Sequence, residues 1–215
     1  MTKLQVFLDL TMCVAWMLTY ILVLISTKIY KYPAICPYTQ ATMLPVEIGI
    51  FTARIILGTR FNFIIFFYFF CVFIEFAIIV EIIRLKFLKN LKLYFASIAI
   101  LSGGVTYLVI VQNYMLFCAY FLTFSGAIIW LVFILTKKDY PFNILNLMVF
   151  FTKFIADVVL IPVYLDIGPI SIITDILVFA LPSVDLLSII VFLMKKRLQN
   201  NQHDRKEIAE SFRNS

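Results

Sequence analysis

Long hydrophobic segments separated by short polar ones make up most of the chain. Seven of these segments approach the length of about 20 residues that an α-helix needs to cross the hydrocarbon core of a bilayer. They lie near residues 8–27, 38–57, 61–83, 93–112, 115–136, 142–164 and 169–194. Continuous apolar segments are typical of membrane helices, whereas membrane β-barrels show short alternating ones. The pattern therefore predicts seven transmembrane helices.

The fourth and fifth segments are the least obvious, because no charged residue separates them. The interval fits two membrane helices better than one overlong helix, with Gln112-Asn113 as the polar turn between them. Gly103 and Gly104 lie within the fourth segment. Since small residues let membrane helices pack closely, these glycines predict a close approach by a neighbouring helix.

Composition supports a membrane protein: 63% of the 215 residues are hydrophobic, 14% are charged, and the mean hydropathy is +1.03. The net charge of +6 comes from basic clusters that follow spans one, three, five and seven. The clusters contain Lys28, Lys31, Arg84, Lys86, Lys89, Lys92, Lys137, Lys138, Lys195, Lys196, Arg197, Arg205, Lys206 and Arg213. Only Lys3 and Arg60 fall on the other side. This asymmetry is typical of cytoplasmic loops and predicts a bilayer, not a nucleic acid, as the partner.

The domain organisation follows from these patterns. We expect an all-α, polytopic membrane protein with a seven-transmembrane-helix bundle over residues 1–198 and a polar cytosolic tail over residues 199–215. The N-terminus would lie outside and the C-terminus in the cytoplasm. The membrane would be the plasma membrane in a bacterium or the endoplasmic reticulum in a fungus.

Seven charged residues fall inside the predicted spans, besides Asp9 and Glu81, which lie close to the membrane interfaces. A charged side chain at the bilayer centre costs about 2.5–3.5 kcal/mol on insertion scales, so such residues usually face a protein interior or a polar cavity. They are Glu47, Arg54, Glu75, Lys153, Asp157, Asp175 and Asp185. These positions are the first candidates for a functional site.

Spacing along the helices divides the charged residues. Lys153 and Asp157 are four residues apart, so they share a helix face and are expected to form a structural ion pair. Glu47 and Arg54 are seven apart, on one face and about 10 Å apart along the axis, so they could line one cavity without touching. Arg54 is also a candidate partner for Asp157 or Asp175.

Three carboxyl groups remain to be considered. Glu75 lies among phenylalanines, where a supporting and a functional role are equally open. Glu47 and Asp185 fall near the bilayer centre, each close to a proline. A carboxyl group among apolar side chains keeps its proton to a higher pH than in water and can serve as a general acid. We therefore predict Glu47 and Asp185 to be an acid–base pair.

Aromatic side chains are abundant, with 23 phenylalanines and 11 tyrosines. Aromatic faces stabilise cations through their quadrupole, so aromatic residues within the spans are candidates for lining a pocket. We single out Trp16, Tyr20, Tyr68, Tyr120 and Trp130. Packing or anchoring at the membrane interface is the alternative role for each.

Metal and cofactor chemistry is not indicated by the sequence. The four cysteines are far apart, the single histidine, His203, lies in the polar tail, and no aspartate-rich cluster occurs. Neither a zinc site nor a disulfide framework is expected. Any chemistry would be metal-free, without a cofactor, and driven by acid.

Other seven-span classes fit less well. A retinal protein needs a lysine within its last span, where this chain has lysines only at the end. A G-protein-coupled receptor is disfavoured by the short loops. A sugar transporter would place prolines at matching positions in its two halves, and the prolines of this chain do not match in that way.

The segments around the two central carboxyl groups resemble those of a known family. They read Tyr32-Pro33 followed by Pro45-Val46-Glu47-Ile48, and Ser183-Val184-Asp185-Leu186-Leu187. Small seven-span integral-membrane terpene cyclases of fungal and bacterial meroterpenoid and indole-terpenoid pathways carry an essential glutamate in span two and an essential aspartate in span seven. The segment Ser125 to Lys138 is also similar to the fifth span of that family.

The resemblance implies a terpene cyclase that acts on a prenylated small molecule. Glu47, with Asp185 as partner or alternative acid, would protonate a terminal epoxide or alkene, and the carbocation would cyclise in an aromatic-lined cavity. The side chains expected to bind the substrate are Trp16, Tyr20, Arg54, Tyr68, Glu75, Tyr120, Trp130 and Asp175. The alternative is a small transporter or lipid-binding protein, in which buried carboxylates bind a solute or protons.

Overall fold

The computed structural model describes residues 3–58, 63–112, 114–137, 140–167 and 171–213. All regular structure within these ranges is α-helical. The helices are α1 (Lys3–Tyr30), α2 (Pro37–Ile56), α3 (Phe63–Arg84), α4 (Leu91–Gln112), α5 (Met115–Thr136), α6 (Ile144–Ile167) and α7 (Ile172–Arg213). The prediction of an all-α fold with seven helices is confirmed. Asn113, Arg60 and Lys138, named above for the turn and the charge asymmetry, lie outside the described residues.

Six of the helices are long and apolar enough to cross a membrane, which fits a multi-pass membrane protein. The stretches concerned are Val6–Tyr30, Ile65–Arg84, Leu91–Gln112, Met115–Thr136, Ile144–Leu165 and Ile172–Gln199. Helix α2 is the exception, because it carries Gln40, Glu47 and Arg54 within 20 residues. Most of α2 is buried against other helices, and a helix that is shielded from lipid does not need an apolar surface.

The helices other than α4 form a closed ring. Contacts run from α1 to α6, α7, α5, α2 and α3 in turn, and from α3 back to α1. Helix α4 packs outside the ring, against α2 and α5. Since short connections join consecutive helices, neighbours in sequence run antiparallel. The amino-terminal ends of α1, α3, α5 and α7 therefore lie at the same end of the bundle as the carboxyl-terminal ends of α2 and α6.

Close packing centres on α2, at two glycines. A Cβ atom on Gly49 would lie 2.6 Å from the Val105 side chain on α4, and one on Gly126 of α5 would lie 2.7 Å from Oγ1 of Thr42 on α2. Glycine thus lets both neighbours approach α2 closely. The expectation for α4 was wrong, because Cβ atoms on Gly103 and Gly104 would meet nothing within 4 Å in the described structure. The glycine that allows α4 to pack closely is Gly49, on α2.

The opposite end of the bundle, where α1 ends, carries most of the basic residues. Arg84 Nη2 lies 2.7 Å from Oε2 of Glu81, and Lys195 Nζ donates to the carbonyl oxygens of Ile134 (2.7 Å) and Leu135 (2.5 Å) at the end of α5. A cation there complements the partial negative charge of a helix carboxyl terminus. Six aromatic rings also pack against one another at this end, in edge-to-face and tilted pairs. The rings are those of Tyr32, Phe87, Phe133, Tyr140, Phe142 and Phe192.

The polar segment predicted as a tail is helical as far as the structure describes it. Helix α7 continues past the apolar stretch, which ends at Gln199, to Arg213. It therefore extends well beyond the other helices at the basic end.

We expect Gly49→Ala to destabilise the protein and Gly103→Ala not to. Alanine in place of glycine stabilises a helix by about 1 kcal/mol, but overpacking at a tight contact costs about 1–3 kcal/mol. Of these two glycines, only Gly49 has such a contact. The midpoint of thermal unfolding should therefore fall for Gly49→Ala and stay level or rise for Gly103→Ala.

A thiol-reactive fluorophore can follow this unfolding, because all four cysteines are buried. Burial also raises the pKa of the Cys36 thiol, which precedes α2, so the folded protein should react slowly. Equal unfolding midpoints for the two variants would contradict the packing at Gly49.

Candidate functional site

A cavity of about 390 Å³ lies inside the ring, in the half of the bundle where α1 begins. This volume is in the range of small-molecule binding sites. All six ring helices contribute to its wall, and α4 contributes none of the described lining residues. The wall comprises Asp9, Met12, Cys13, Trp16, Tyr20, Met43, Val46, Glu47, Arg54, Phe67, Tyr68, Met115, Leu116, Ala119, Tyr120, Thr123, Asp157, Leu160, Val163, Tyr164 and Leu181.

Aromatic side chains from four helices form much of this wall. Trp16 and Tyr20 of α1 have ring centroids 5.7 Å apart, and Tyr68 of α3 lines the cavity as well. Tyr120 of α5 meets Tyr164 of α6 edge to face, with 5.6 Å between the ring centroids. The wall thus contains an indole ring and several phenol rings.

Glu47 is the carboxyl group of α2 at the cavity wall. It is buried, and the Tyr20 hydroxyl donates a hydrogen bond of 2.8 Å to its Oε1. Its Oε2 has no hydrogen-bond partner among the residues that the structure describes. Arg54 lies about 10 Å further along the same helix, where Nη2 is 3.4 Å from Sδ of Met115. Glu47 and Arg54 both line the cavity, in line with their seven-residue spacing.

A second group of charges joins α6 to α7. Lys153 Nζ donates to Oδ2 of Asp157 at 2.7 Å, and to Oδ1 and Oδ2 of Asp185 at 2.6 and 2.7 Å. The predicted pairing of Lys153 with Asp157 is confirmed, and Asp185 joins it as an additional partner. We call these three residues the ion triad. All three are almost fully buried, and Lys153 Nζ also lies 5.6 Å from the ring centroid of Trp16.

Asp185 is not among the described residues that line the cavity. The structure therefore does not bring Glu47 and Asp185 to a common wall, and Asp157 is the member of the ion triad that lines it. Asp157 pairs with Lys153, and Asp175 accepts a hydrogen bond from the Tyr164 hydroxyl. Arg54 therefore does not pair with Asp157 or Asp175, the two partners that the sequence suggested for it.

The remaining predicted site residues lie behind the wall. Glu75 is fully buried on α3, close enough to Tyr20 and Glu47 to interact electrostatically with both. Trp130 stacks on Phe150 with 4.3 Å between ring centroids, in the core towards the basic end. Asp175 is half-buried in the first turn of α7, is not among the described lining residues, and accepts a hydrogen bond from Tyr164, which lines the cavity.

Sequence reasoning missed Asp9 and Tyr164 as lining residues, and it assigned Asp157 to a structural ion pair only. The signal for them is helical spacing. Asp9 precedes Trp16 by seven positions, and Asp157 precedes Tyr164 by seven, which is two turns of one helix face. Polar and aromatic residues that recur at this spacing mark the face of α1 and the face of α6 that meet the cavity.

We expect Lys153→Met to destabilise the protein much more than Asp185→Asn. Removing the lysine leaves two buried carboxyl groups unpaired, and breaking a buried ion pair in this way costs about 3–5 kcal/mol. Asp185→Asn leaves Lys153 paired with Asp157. The midpoint of thermal unfolding should recover in part when Lys153→Met is combined with Asp157→Asn and Asp185→Asn. A triple variant as unstable as Lys153→Met alone would argue against the triad as the source of the effect.

Comparison with known proteins gives no assignment. No family model matches the chain, and no curated protein and no solved structure is similar to it. The resemblance to membrane terpene cyclases stays a prediction. The wall of the cavity, with Glu47 and its aromatic neighbours, is accordingly the basis for a functional proposal.

Proposed function

We propose that the protein is a membrane terpene cyclase that binds a prenylated small molecule in the cavity and starts ring closure by protonation from Glu47. One observation carries the proposal: a buried carboxyl group with an unpartnered oxygen lies at the wall of a cavity rich in aromatic side chains. A buried general acid and a cation-tolerant wall are what a metal-free, acid-initiated cyclisation needs.

The hydrogen bond from Tyr20 assigns different roles to the two oxygens of Glu47. A protonated carboxyl group accepts through its carbonyl oxygen and donates through its hydroxyl. Since Tyr20 donates to Oε1, Oε2 carries the proton and donates it to the terminal epoxide or alkene of the substrate. When the proton leaves, the Tyr20 hydroxyl stabilises the carboxylate that remains, because a hydrogen bond to a charged group is stronger than one to a neutral group.

The carbocation then lies among aromatic rings and apolar side chains. The rings of Trp16, Tyr68 and Tyr120 offer their negative faces to the cation, and the apolar part of the wall keeps water from capturing it before the rings close. Arg54, at the outer part of the wall, would contact the polar head group of the substrate. The bilayer supplies the apolar prenyl chain.

We also propose α2 as a seventh span, with the N-terminus outside and the C-terminus in the cytoplasm. The burial of α2 within the helix bundle supports the span, and the basic residues at the end opposite the cavity support the orientation. The cavity would then lie in the outer half of the membrane. The membrane would be the plasma membrane in a bacterium or the endoplasmic reticulum in a fungus.

A proton-coupled transporter or lipid-binding protein is the second candidate, and the ion triad favours it. Ionisable residues that pair inside a membrane bundle often belong to solute or proton pathways. Uptake of a solute into proteoliposomes, driven by a proton gradient and lost in Lys153 variants, would support this candidate. Formation of cyclised product by the purified protein would favour the cyclase.

We expect Glu47→Gln to lower cyclisation by at least about a hundredfold, since a general acid contributes roughly 10²–10⁴-fold to a rate. Membranes that contain the protein are supplied with prenylated aromatic substrates that end in an epoxide or an alkene, and cyclised products are measured by mass spectrometry. Glu81→Gln is the matched control, because Glu81 is also buried but pairs with Arg84 at the basic end. Undiminished product from Glu47→Gln would refute the proposal.

Tyr20→Phe is expected to lower kcat about tenfold and to leave KM nearly unchanged. The lost hydrogen bond strengthens when Glu47 becomes charged, and a bond to a charged group contributes about 1.5–3 kcal/mol. A change in KM alone would show that Tyr20 acts only in binding.

A further inference from the structure

The ion triad contains one oxygen atom that nothing in the described structure satisfies. The Lys153 ammonium group has three N–H donors, and its three hydrogen bonds go to Oδ2 of Asp157 and to both oxygens of Asp185. The donors are therefore all used, and so are the oxygens of Asp185. Oδ1 of Asp157 is buried and has no partner among the described residues. Asp157 is also the member of the triad that lines the cavity.

The positive and negative charges of the triad are unequal in number. One ammonium group faces two carboxyl groups, so with both of them ionised the triad carries one uncompensated negative charge. Arg54, the one cation among the described lining residues, contacts Met115 instead of Asp157. A buried acceptor without a partner is costly, and a positively charged or proton-donating ligand in the cavity would satisfy it.

We propose that Asp157, rather than Asp185, is the base that ends the reaction, and that its Oδ1 faces the cationic centre in the cavity. This inference rests on the proposed function. A C–H bond next to the cationic carbon breaks, its electron pair forms the carbon–carbon double bond, and the proton goes to Oδ1 of Asp157. The positive charge of the substrate and the excess negative charge of the triad cancel in the same step.

The cycle closes without any other reactant. Glu47 has lost one proton to the substrate, and Asp157 has gained one from it. After the product leaves, water that enters the cavity carries the proton from Asp157 back to Glu47. Lys153 is a positioning residue in this scheme, because it binds Oδ2 of Asp157 and thereby leaves Oδ1 to the ligand.

Asp157→Asn and Asp185→Asn form a matched pair of variants. Each leaves Lys153 with a single carboxylate, so both have the same net charge and the same number of ions in the triad. Of the two variants, only Asp157→Asn replaces a carboxylate that lines the cavity. We expect Asp157→Asn to reduce the ratio of alkene products to water-captured alcohols at least tenfold, and Asp185→Asn to reduce this ratio much less.

A much larger loss of turnover in Asp157→Asn than in Asp185→Asn, with the thermal stability of the two variants matching, also supports the assignment. Equal product ratios and equal turnover in the two variants overturn it. Product formation that survives Glu47→Gln refutes the general-acid step instead, so failure of the proposed function is distinguishable from failure of this inference.

A binding measurement tests the same carboxylate without turnover. N,N-dimethyldodecylamine is protonated at neutral pH and mimics a cationic centre on an apolar chain, and dodecanol is its uncharged control. With the protein in nanodiscs, the amine should raise the unfolding temperature of the unmodified protein and of Asp185→Asn. Its apparent affinity should fall at least tenfold in Asp157→Asn, whereas dodecanol should bind all three alike. Equal amine affinity in the two variants contradicts a cation-facing Asp157.

Discussion

A charged group inside the bundle is stabilised by an opposite charge that is also inside the bundle. The Lys153 ammonium group supplies this charge to two carboxyl groups at once. It ties α6 to α7 through hydrogen bonds and lies near the Trp16 ring of α1. Three of the six ring helices thus share one charge centre. Because the cost of an unpaired ion is high in a medium without water, this centre fixes how α6 and α7 face each other, and with them one side of the cavity.

Helix α2 meets a different constraint on the other side. Apart from the polar end of α7, it is the most polar of the described helices, and it contributes Glu47 and Arg54 to the cavity wall. Glycines at its contacts with α4 and α5 allow the backbones to come close, so polar side chains on α2 are shielded from lipid by neighbouring helices. Tight packing and polarity are linked here, since a helix with this composition is stable in a membrane only when others surround it.

The sequence was sufficient for features that depend on local periodicity. Apolar segments of membrane length predict the seven helices, and the four-residue spacing of Lys153 and Asp157 predicts their ion pair. The partner of Asp185 could not be found in this way, because it lies on another helix, 32 positions away, and spacing carries no information about which helices are neighbours. For the same reason Gly103 and Gly104 were assigned a contact that belongs to Gly49. The cavity itself depends on how six helices meet, which no single segment encodes.

The ion triad also bears on how the chain enters the membrane. Lys153 and Asp157 lie on one helix, so α6 can form its own ion pair before α7 has been synthesised, and the two charges need not cross into the bilayer separately. Asp185 arrives with the last helix and finds an ammonium group already in place. The order of the charges along the chain thus lowers the barrier to inserting α6 and gives α7 a specific docking point, so the final assembly step is guided by an electrostatic contact as well as by apolar packing.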